Sequence, residues 1–391
     1  MKKKEKSNST VMSAEGEKVD RDELADLLVE SLNKLNKDGG KVAYFLDDQE
    51  DPSMITDWIS TGSTLLDLAI SNRENGGLPV GRMVELNGLE GSGKSLVAAH
   101  VIANTQKKGG LGVFIDTESA AAPEFWKAVG VDISRCAYVP LTTVEEIFQY
   151  MEHVIGTIRK ANSNRLLTIV VDSLAAASCE TEMESEHGKD GYNTSKSIII
   201  SKAMRKITNL IGKQRVLIVY TNQLRMNMSA MAFGDKYVVS GGKSVAYHCS
   251  VRVRLSNIGK IKKGDNVIGN ECKAQVVKNR MGPPQRIAEF SIFFDSGIQD
   301  MASWLDFLKK HEIAVTSKGC YNITLGEEQF KLTAKEFVEK VNTDTEFKQK
   351  VYSIICNLYV MKYRNPNSII DEDITVSTDE DSEVGKEVSE E

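Results

Sequence analysis

Apolar residues recur along this chain with two different periods, and the switches between them mark its elements. Leu24, Leu27, Leu28, Leu32 and Leu35 fall on one helical face. Asp20, with Glu23 three residues on, reads as the capping box of that helix, and Gly39-Gly40 as its stop. Val42 to Leu46 then reads as a short strand. Beyond residue 55, β-rich runs at Met83 to Leu86, Leu111 to Ile115, Leu166 to Val171 and Val216 to Tyr220 alternate with helical stretches at Ser95 to Lys108, Glu145 to Ala161 and Ser195 to Ile211. That alternation predicts a parallel sheet covered by helices on both faces. After residue 250 the strands crowd together, at Ser250 to Leu255, Ala274 to Lys278 and Ile287 to Phe293, which predicts antiparallel additions on one side. Helical segments around Leu305 and Leu308, at Ala334 to Val341 and at Phe347 to Tyr359 predict a further small α+β unit.

The expected division is a polar, disordered start over 1–19, a helix and strand over 20–54, an α/β core over 55–300, a small unit over 301–366 and an acidic, disordered tail over 367–391. The 391 residues fit that division, since a domain takes roughly 100–200. Charge sharpens it. The chain carries −6, but residues 371–391 alone hold ten acids against one lysine, a net of −9, so the body is +3. A nearly neutral body with an acidic tail differs from an evenly acidic protein. Apolar runs fall short of the ~18 residues of a membrane span. The basic start MKKKEKSNST lacks the apolar stretch of a secretory signal. Six scattered cysteines without a C-x-x-C pair argue against a disulfide frame or zinc site and fit a reducing compartment.

The strongest chemical signal is GLEGSGKS, Gly88 to Ser95. It follows a strand and opens a helix, where glycines let backbone N–H groups converge on phosphate oxygens and the helix dipole favours an anion. Lys94 should reach the β- and γ-phosphates, and Ser95 should ligate Mg²⁺. LLTIVVDS ends a strand in Asp172, which alone reads as a helix cap but beside a phosphate loop places a carboxylate near the metal. GVFIDTES offers Glu118 as the group that activates water, with Asp116 competing for the role. VVKNR ends another strand with Lys278 and Arg280, cations that could stabilise a transferring phosphoryl group within a subunit or from its neighbour. Gln223 to Asp235, QLRMNMSAMAFGD, reads as a loop unusually rich in methionine.

Taken in order, ISTGSTLLD, GGLPVGRMVE, GLEGSGKS, FIDTESA, VVDS, KAMRKIT, NQLRM, GGK, IKKGDNVIG and VVKNR resemble the RecA-type homologous-recombination proteins of bacteria or bacteriophages, across about residues 42–300. The resemblance implies a RecA-like phosphate-loop NTPase core that couples ATP and Mg²⁺ binding to a helical filament on single-stranded DNA. Such a filament pairs that strand with homologous duplex and exchanges strands. It implies that Gly88, Glu90, Gly91, Ser92, Gly93, Lys94, Ser95 and Leu96 hold triphosphate, that Phe125 meets the base, and that Ser95 and Asp172 serve the metal. Glu118 would activate water and Gln223 sense the γ-phosphate. Lys278 and Arg280 would reach the adjacent subunit's ATP. DNA would be held by Ser201, Arg205, Arg225, Met226, Asn227, Met228, Ser240, Gly241, Gly242 and Lys243, with methionines wedged between bases and Glu180 to Thr194 forming a further loop. The N-terminal helix would dock on the next subunit and Val42 to Leu46 join its sheet. Single-strand-binding and loading proteins are further expected partners, in a bacterial cytoplasm or in a host's if the chain is phage-encoded. Ala122 and Phe125 depart from the family's usual aspartate and tyrosine, which leaves base selectivity open, and Tyr247 stands where the family has a phenylalanine associated with relaying ATP state between subunits. A ring helicase of the same fold and a non-hydrolysing filament protein stay as alternatives. The helix-strand start opposes the first, and the intact Lys94, Glu118, Asp172 and Gln223 oppose the second.

Overall fold

The computed structural model describes residues 10–12, 18–20, 22–37, 40–46, 48, 54–119, 122–161, 164–183, 192–212, 214–226, 237–239 and 243–363. Contacts separate Met1–Val360 from Met361–Glu391, and the elements below all belong to the first body.

The start of the chain differs from expectation. Strands β1 (Thr10–Met12) and β2 (Lys18–Asp20) pair antiparallel within the stretch expected to be disordered. Helix α1 (Glu23–Lys34) is capped by Asp22, whose Oδ1 accepts from the Leu24 N–H at 2.8 Å. Asp20 cannot be the cap because it is a strand residue paired with Thr10. No residue of α1 is buried, and its leucine stripe faces solvent. Val42 to Leu46 forms no strand among the described residues. Its first amides instead go to the Asn33 side chain, Val42 N–H at 2.7 Å and Ala43 N–H at 2.8 Å.

The core opens with β3 (Trp58–Ile59), α2 (Thr64–Ser71) and β4 (Leu78–Pro79). It continues as β5 (Met83–Gly88), α3 (Lys94–Lys107), β6 (Leu111–Asp116), α4 (Pro123–Ala128), β7 (Cys136–Pro140), α5 (Val144–Ala161) and β8 (Leu167–Asp172). Then come α6 (Glu180–Met183), α7 (Tyr192–Ile211), β9 (Val216–Met226), β10 (Tyr237–Val239), α8 (Lys243–His248), β11 (Val251–Lys263), β12 (Asn266–Asn279), β13 (Ile287–Phe293) and β14 (Gly297–Ile298). The strands join in the order β14-β13-β12-β11-β5-β9-β8-β6-β7, with β10 beside β9. From β11 to β7 neighbours run parallel, while β12, β13 and β14 are added antiparallel at one side.

Period-two alternation splits the strand side chains between two apolar clusters. Val84, Leu86, Val170, Val219 and Val253 face α3, while Met83, Ile169, Val171, Ile218 and Tyr220 face α5 and α7. The sheet's parallel strands all end on one edge, and that edge carries the site.

Residues 300–359 form α9 (Asp300–Lys310), a three-stranded antiparallel sheet of β15 (Ala314–Ser317), β16 (Cys320–Leu325) and β17 (Glu328–Leu332), then α10 (Ala334–Thr343) and α11 (Thr345–Tyr359). Their apolar residues Leu308, Ile323, Phe337, Phe347, Val351 and Ile355 continue the cluster around α3.

Candidate functional site

β5 ends at Gly88 and α3 begins at Lys94, so the phosphate-loop motif is the whole turn between them. Two glycines there are dictated by geometry. A Cβ on Gly88 would lie 2.4 Å from both the Leu255 carbonyl oxygen and Ser92 Oγ, and Gly93 caps α3 at φ +91°. Ser92 Oγ is buried without a hydrogen-bond partner, a polar group pointing to a missing donor or acceptor in the cradle. Lys94 is buried, and its Nζ donates to the carbonyls of Leu89 at 2.8 Å and Gly88 at 3.2 Å. Burial pulls its ammonium below the ordinary lysine range, against the opposing charges of Asp172, Glu118 and Glu90. Ser95 is exposed at the first turn of α3, Leu96 is buried behind it, and Glu90 and Gly91 face solvent.

The sheet brings the other groups to the same edge. Gln223 pairs with Gly88 in the β5–β9 register, and Asp116 with Asp172 in the β6–β8 register. Thr221 Oγ1 donates to Asp172 Oδ1, fixing that carboxylate at the end of β8. Glu118, exposed just beyond β6, accepts from Ser173 Oγ at 3.0 Å. Asp116 is buried, with one oxygen accepting from the Glu118 N–H at 2.9 Å and the other from Tyr138 Oη at 3.1 Å. Of the two carboxylates, Glu118 is thus the exposed one, and Asp116 is buried beneath it and bonded to its amide.

A cavity of about 280 Å³ opens over the loop, lined by Gly91 to Leu96, Phe125, Asn257, Asn270, Glu271, Cys272, Ile292 and Phe294. Phe125, from α4, is one of its lining residues. Phe294, half exposed just after β13, is a second ring that sequence reasoning missed. Its only local signal was an aromatic residue on a turn.

Lys278 and Arg280 do not line that cavity. Lys278 Nζ donates to the carbonyls of Ala246 at 2.7 Å and Tyr247 at 3.0 Å, and Arg280 reaches the same Tyr247 carbonyl at 3.4 Å. Both cations thus sit at the C-terminal turn of α8, where the helix dipole favours positive charge. Tyr247 beside them is exposed.

Of the expected DNA contacts, Ser201 and Arg205 share one face of α7, and Arg205 Nε donates to the Ser201 carbonyl at 3.3 Å. Arg225 is exposed near the end of β9. The segment from Gln223 to Met226 is strand rather than loop, because β10 pairs back on it through Tyr237↔Met226 and Val239↔Leu224. Met226 and Lys243 are placed by their backbone alone, and Asn227, Met228, Ser240, Gly241 and Gly242 lie outside the described residues. No cluster of three or more His, Cys, Asp or Glu suited to a metal occurs among the described residues. No helix among them is long and apolar enough to cross a membrane.

Comparison with known proteins adds to this geometry. The family described as RecA N-terminal domain matches residues 26–299. A protein named Protein RecA from Clostridioides difficile is 36% identical over 337 residues, covering 85% of this chain and 92% of its own length. Another of that name from Nitratiruptor is 36% identical over 319 residues, covering 80% and 89%. One from Synechocystis is 38% identical over 275 residues, covering 70% and 74%.

Proposed function

The chain belongs to the RecA family, and from that premise we propose that it is an ATP-dependent DNA recombinase. It assembles into helical filaments on single-stranded DNA, pairs that strand with homologous duplex and exchanges strands in recombination and repair. DNA stimulates its hydrolysis of ATP. The observation that carries this reading is the shared edge of the sheet. Lys94, Asp172, Glu118 and Gln223 meet there, and Gln223 stands two residues before Arg225 in the same strand.

The residues divide the chemistry as follows. The loop amides between Gly88 and Lys94 cradle phosphate, and Lys94 exchanges its carbonyl partners for phosphate oxygens. Ser95 and Asp172, one hydroxyl and one carboxylate, would hold Mg²⁺, a hard cation that such oxygen donors suit. When bound there, the ion would supply neutralisation of phosphate charge. Ser173 holds Glu118 toward the attacking water, and Gln223 reports the γ-phosphate to β9. Phe125 and Phe294 sandwich the base, with no aspartate at Ala122. Lys278 and Arg280, turned away from their own loop, serve the neighbour's nucleotide, so that hydrolysis requires a filament interface.

Arg205 and Arg225 hold phosphates without reading sequence. The elements from α9 to α11 receive duplex, and the acidic tail competes with duplex for basic surface. The source compartment is a bacterial cytoplasm or an infected host's, and single-strand-binding and loading proteins are its further partners. ATP turnover measured with and without circular single-stranded DNA, alongside electron microscopy of the same samples, tests this. Stimulation with extended filaments is expected. Closed rings would instead indicate a helicase, and filaments without turnover a structural protein.

A further inference from the structure

Glu85 is fully buried in β5, three residues before the phosphate loop. A carboxylate without water is costly unless it is paired and hydrogen-bonded. Glu85 is compensated on both flanks. Toward β9, Asn222 Nδ2 donates to its Oε1 at 3.0 Å. Toward β11, Arg252 Nε forms an ion pair with Oε2. Asn87, in its own strand, adds a longer bond to Oε2 at 3.4 Å.

The positions of these partners matter more than their number. Asn222 immediately precedes Gln223 in β9, and Arg252 faces Lys278 in the β11–β12 register. One carboxylate therefore stands between β9, which carries Gln223, and β11, whose Arg252 faces Lys278 near the end of β12. Glu85, Asn222 and Arg252 alternate with residues of the α3-side cluster, so they point to the side where α7 and α8 pack. Burial lowers the Lys278 ammonium, with Arg280 adding to the effect and Glu85 opposing it, and burial lowers His248 on α8, with Arg205, Lys278 and Arg280 adding to it. The helix whose carbonyls Lys278 and Arg280 bind, α8, packs on α7, which carries Arg205. Asn87 and Asn222 each keep a buried amide oxygen without a partner, acceptors through which the connection can change hands.

We propose that Glu85 is a positioning residue that couples Gln223 at the subunit's own nucleotide to Lys278 and Arg280 at its neighbour's, so that DNA-induced turnover passes through the Asn222–Glu85–Arg252 connection. This rests on the recombinase reading above. A buried ion pair that is only structural tolerates replacement of both partners, whereas breaking one side is destabilising. That contrast supplies the test. Glu85→Gln alone, and Glu85→Gln combined with Arg252→Gln, are compared with the unaltered chain. Thermal midpoint, KM for ATP, and the ratio of turnover with and without single-stranded DNA are read for each.

The double variant, relieved of the unpaired guanidinium, is expected to regain most of the midpoint lost by the single one. It should keep its KM for ATP yet lose about tenfold in DNA stimulation, an ordinary size for coupling between sites. Recovery of stimulation together with the midpoint would overturn the proposal and make the pair structural. So would a folded Glu85→Gln variant with undiminished stimulation. An unaltered chain that DNA does not stimulate would instead remove the recombinase reading itself.

Discussion

Asp300, the first residue of α9, binds Thr64, the first residue of α2, through both carboxylate oxygens: one accepts from the Thr64 N–H at 2.7 Å, the other from its Oγ1 at 2.6 Å. A second carboxyl, Asp67, lies one turn further along α2 and accepts from Ser60 and Thr61. Burial raises both, Asp67 to about 7 and Asp300 to about 6, and for Asp67 the charge of Asp300 adds to the effect. The folded chain therefore holds protons here that the unfolded chain has already released. The resulting stability is fully present below the unfolded value of 3.8. It is lost as pH rises toward 6 to 7. Urea midpoints across that window should fall less steeply in Asp300→Asn than in the unaltered chain. Parallel slopes would place these two carboxyls outside the pH response.

Removing the Lys94 ammonium takes away the one buried cation of the phosphate loop. Lys94→Ala should lose ATP-dependent DNA binding and lower turnover by about 10²–10³-fold, the usual cost of deleting one transition-state donor. Unchanged turnover would refute the phosphate-loop assignment.

Glu118 and Asp116 are separable because only Asp116 is buried. Glu118→Gln should slow hydrolysis by ~10²–10⁴-fold with filament assembly spared. Asp116→Asn should instead cost stability, about 1–3 kcal/mol, since Tyr138 and the Glu118 amide lose a charged acceptor. If Asp116→Asn gives the kinetic defect and Glu118→Gln does not, the roles are reversed.

The two rings at the cavity should matter alike. Phe125→Ala and Phe294→Ala are each expected to weaken ATP binding by ~1–3 kcal/mol, the range for a base stacked on an aromatic side chain. Calorimetric titration reads this directly. An effect at Phe125 alone would put the base elsewhere than between them.

Deleting residues 371–391 removes a net charge of −9. Duplex binding should then need less Mg²⁺, and its dependence on salt should change, because the tail no longer competes with DNA phosphate for basic surface. Filter-binding titrations at graded Mg²⁺ decide between this and a tail that serves only solubility.

What the sequence made legible was whatever chemistry is contiguous. Gly88 to Ser95 is one contiguous turn, and Gly88 and Gly93 in it answer to local demands of the backbone. β5, β6, β8 and β9 showed as apolar runs because both faces of each are covered. β7 did not, because it is an edge strand none of whose residues is buried. Phe294, Asn270 and Glu271 arrive at the cavity from strands added on the far side of the sheet, so no window of sequence contains them with Lys94. The end of β9 was misjudged as loop because its strand character comes from β10, across a polar and methionine-rich segment. The Glu85 connection is invisible for the same reason: its members come from three strands whose adjacency is topological, not sequential.

The bare leucine stripe of α1 has a consequence for growth. If Leu24, Leu27, Leu28, Leu32 and Leu35 are covered by the next subunit in a head-to-tail contact, the contact does not close on itself. Every assembly then has one terminus where this stripe stays wet and one where its receptor does. The two ends differ in surface and so in rates of addition and loss. Direction would thus be set by a helix that buries none of its own residues among the described part of the chain.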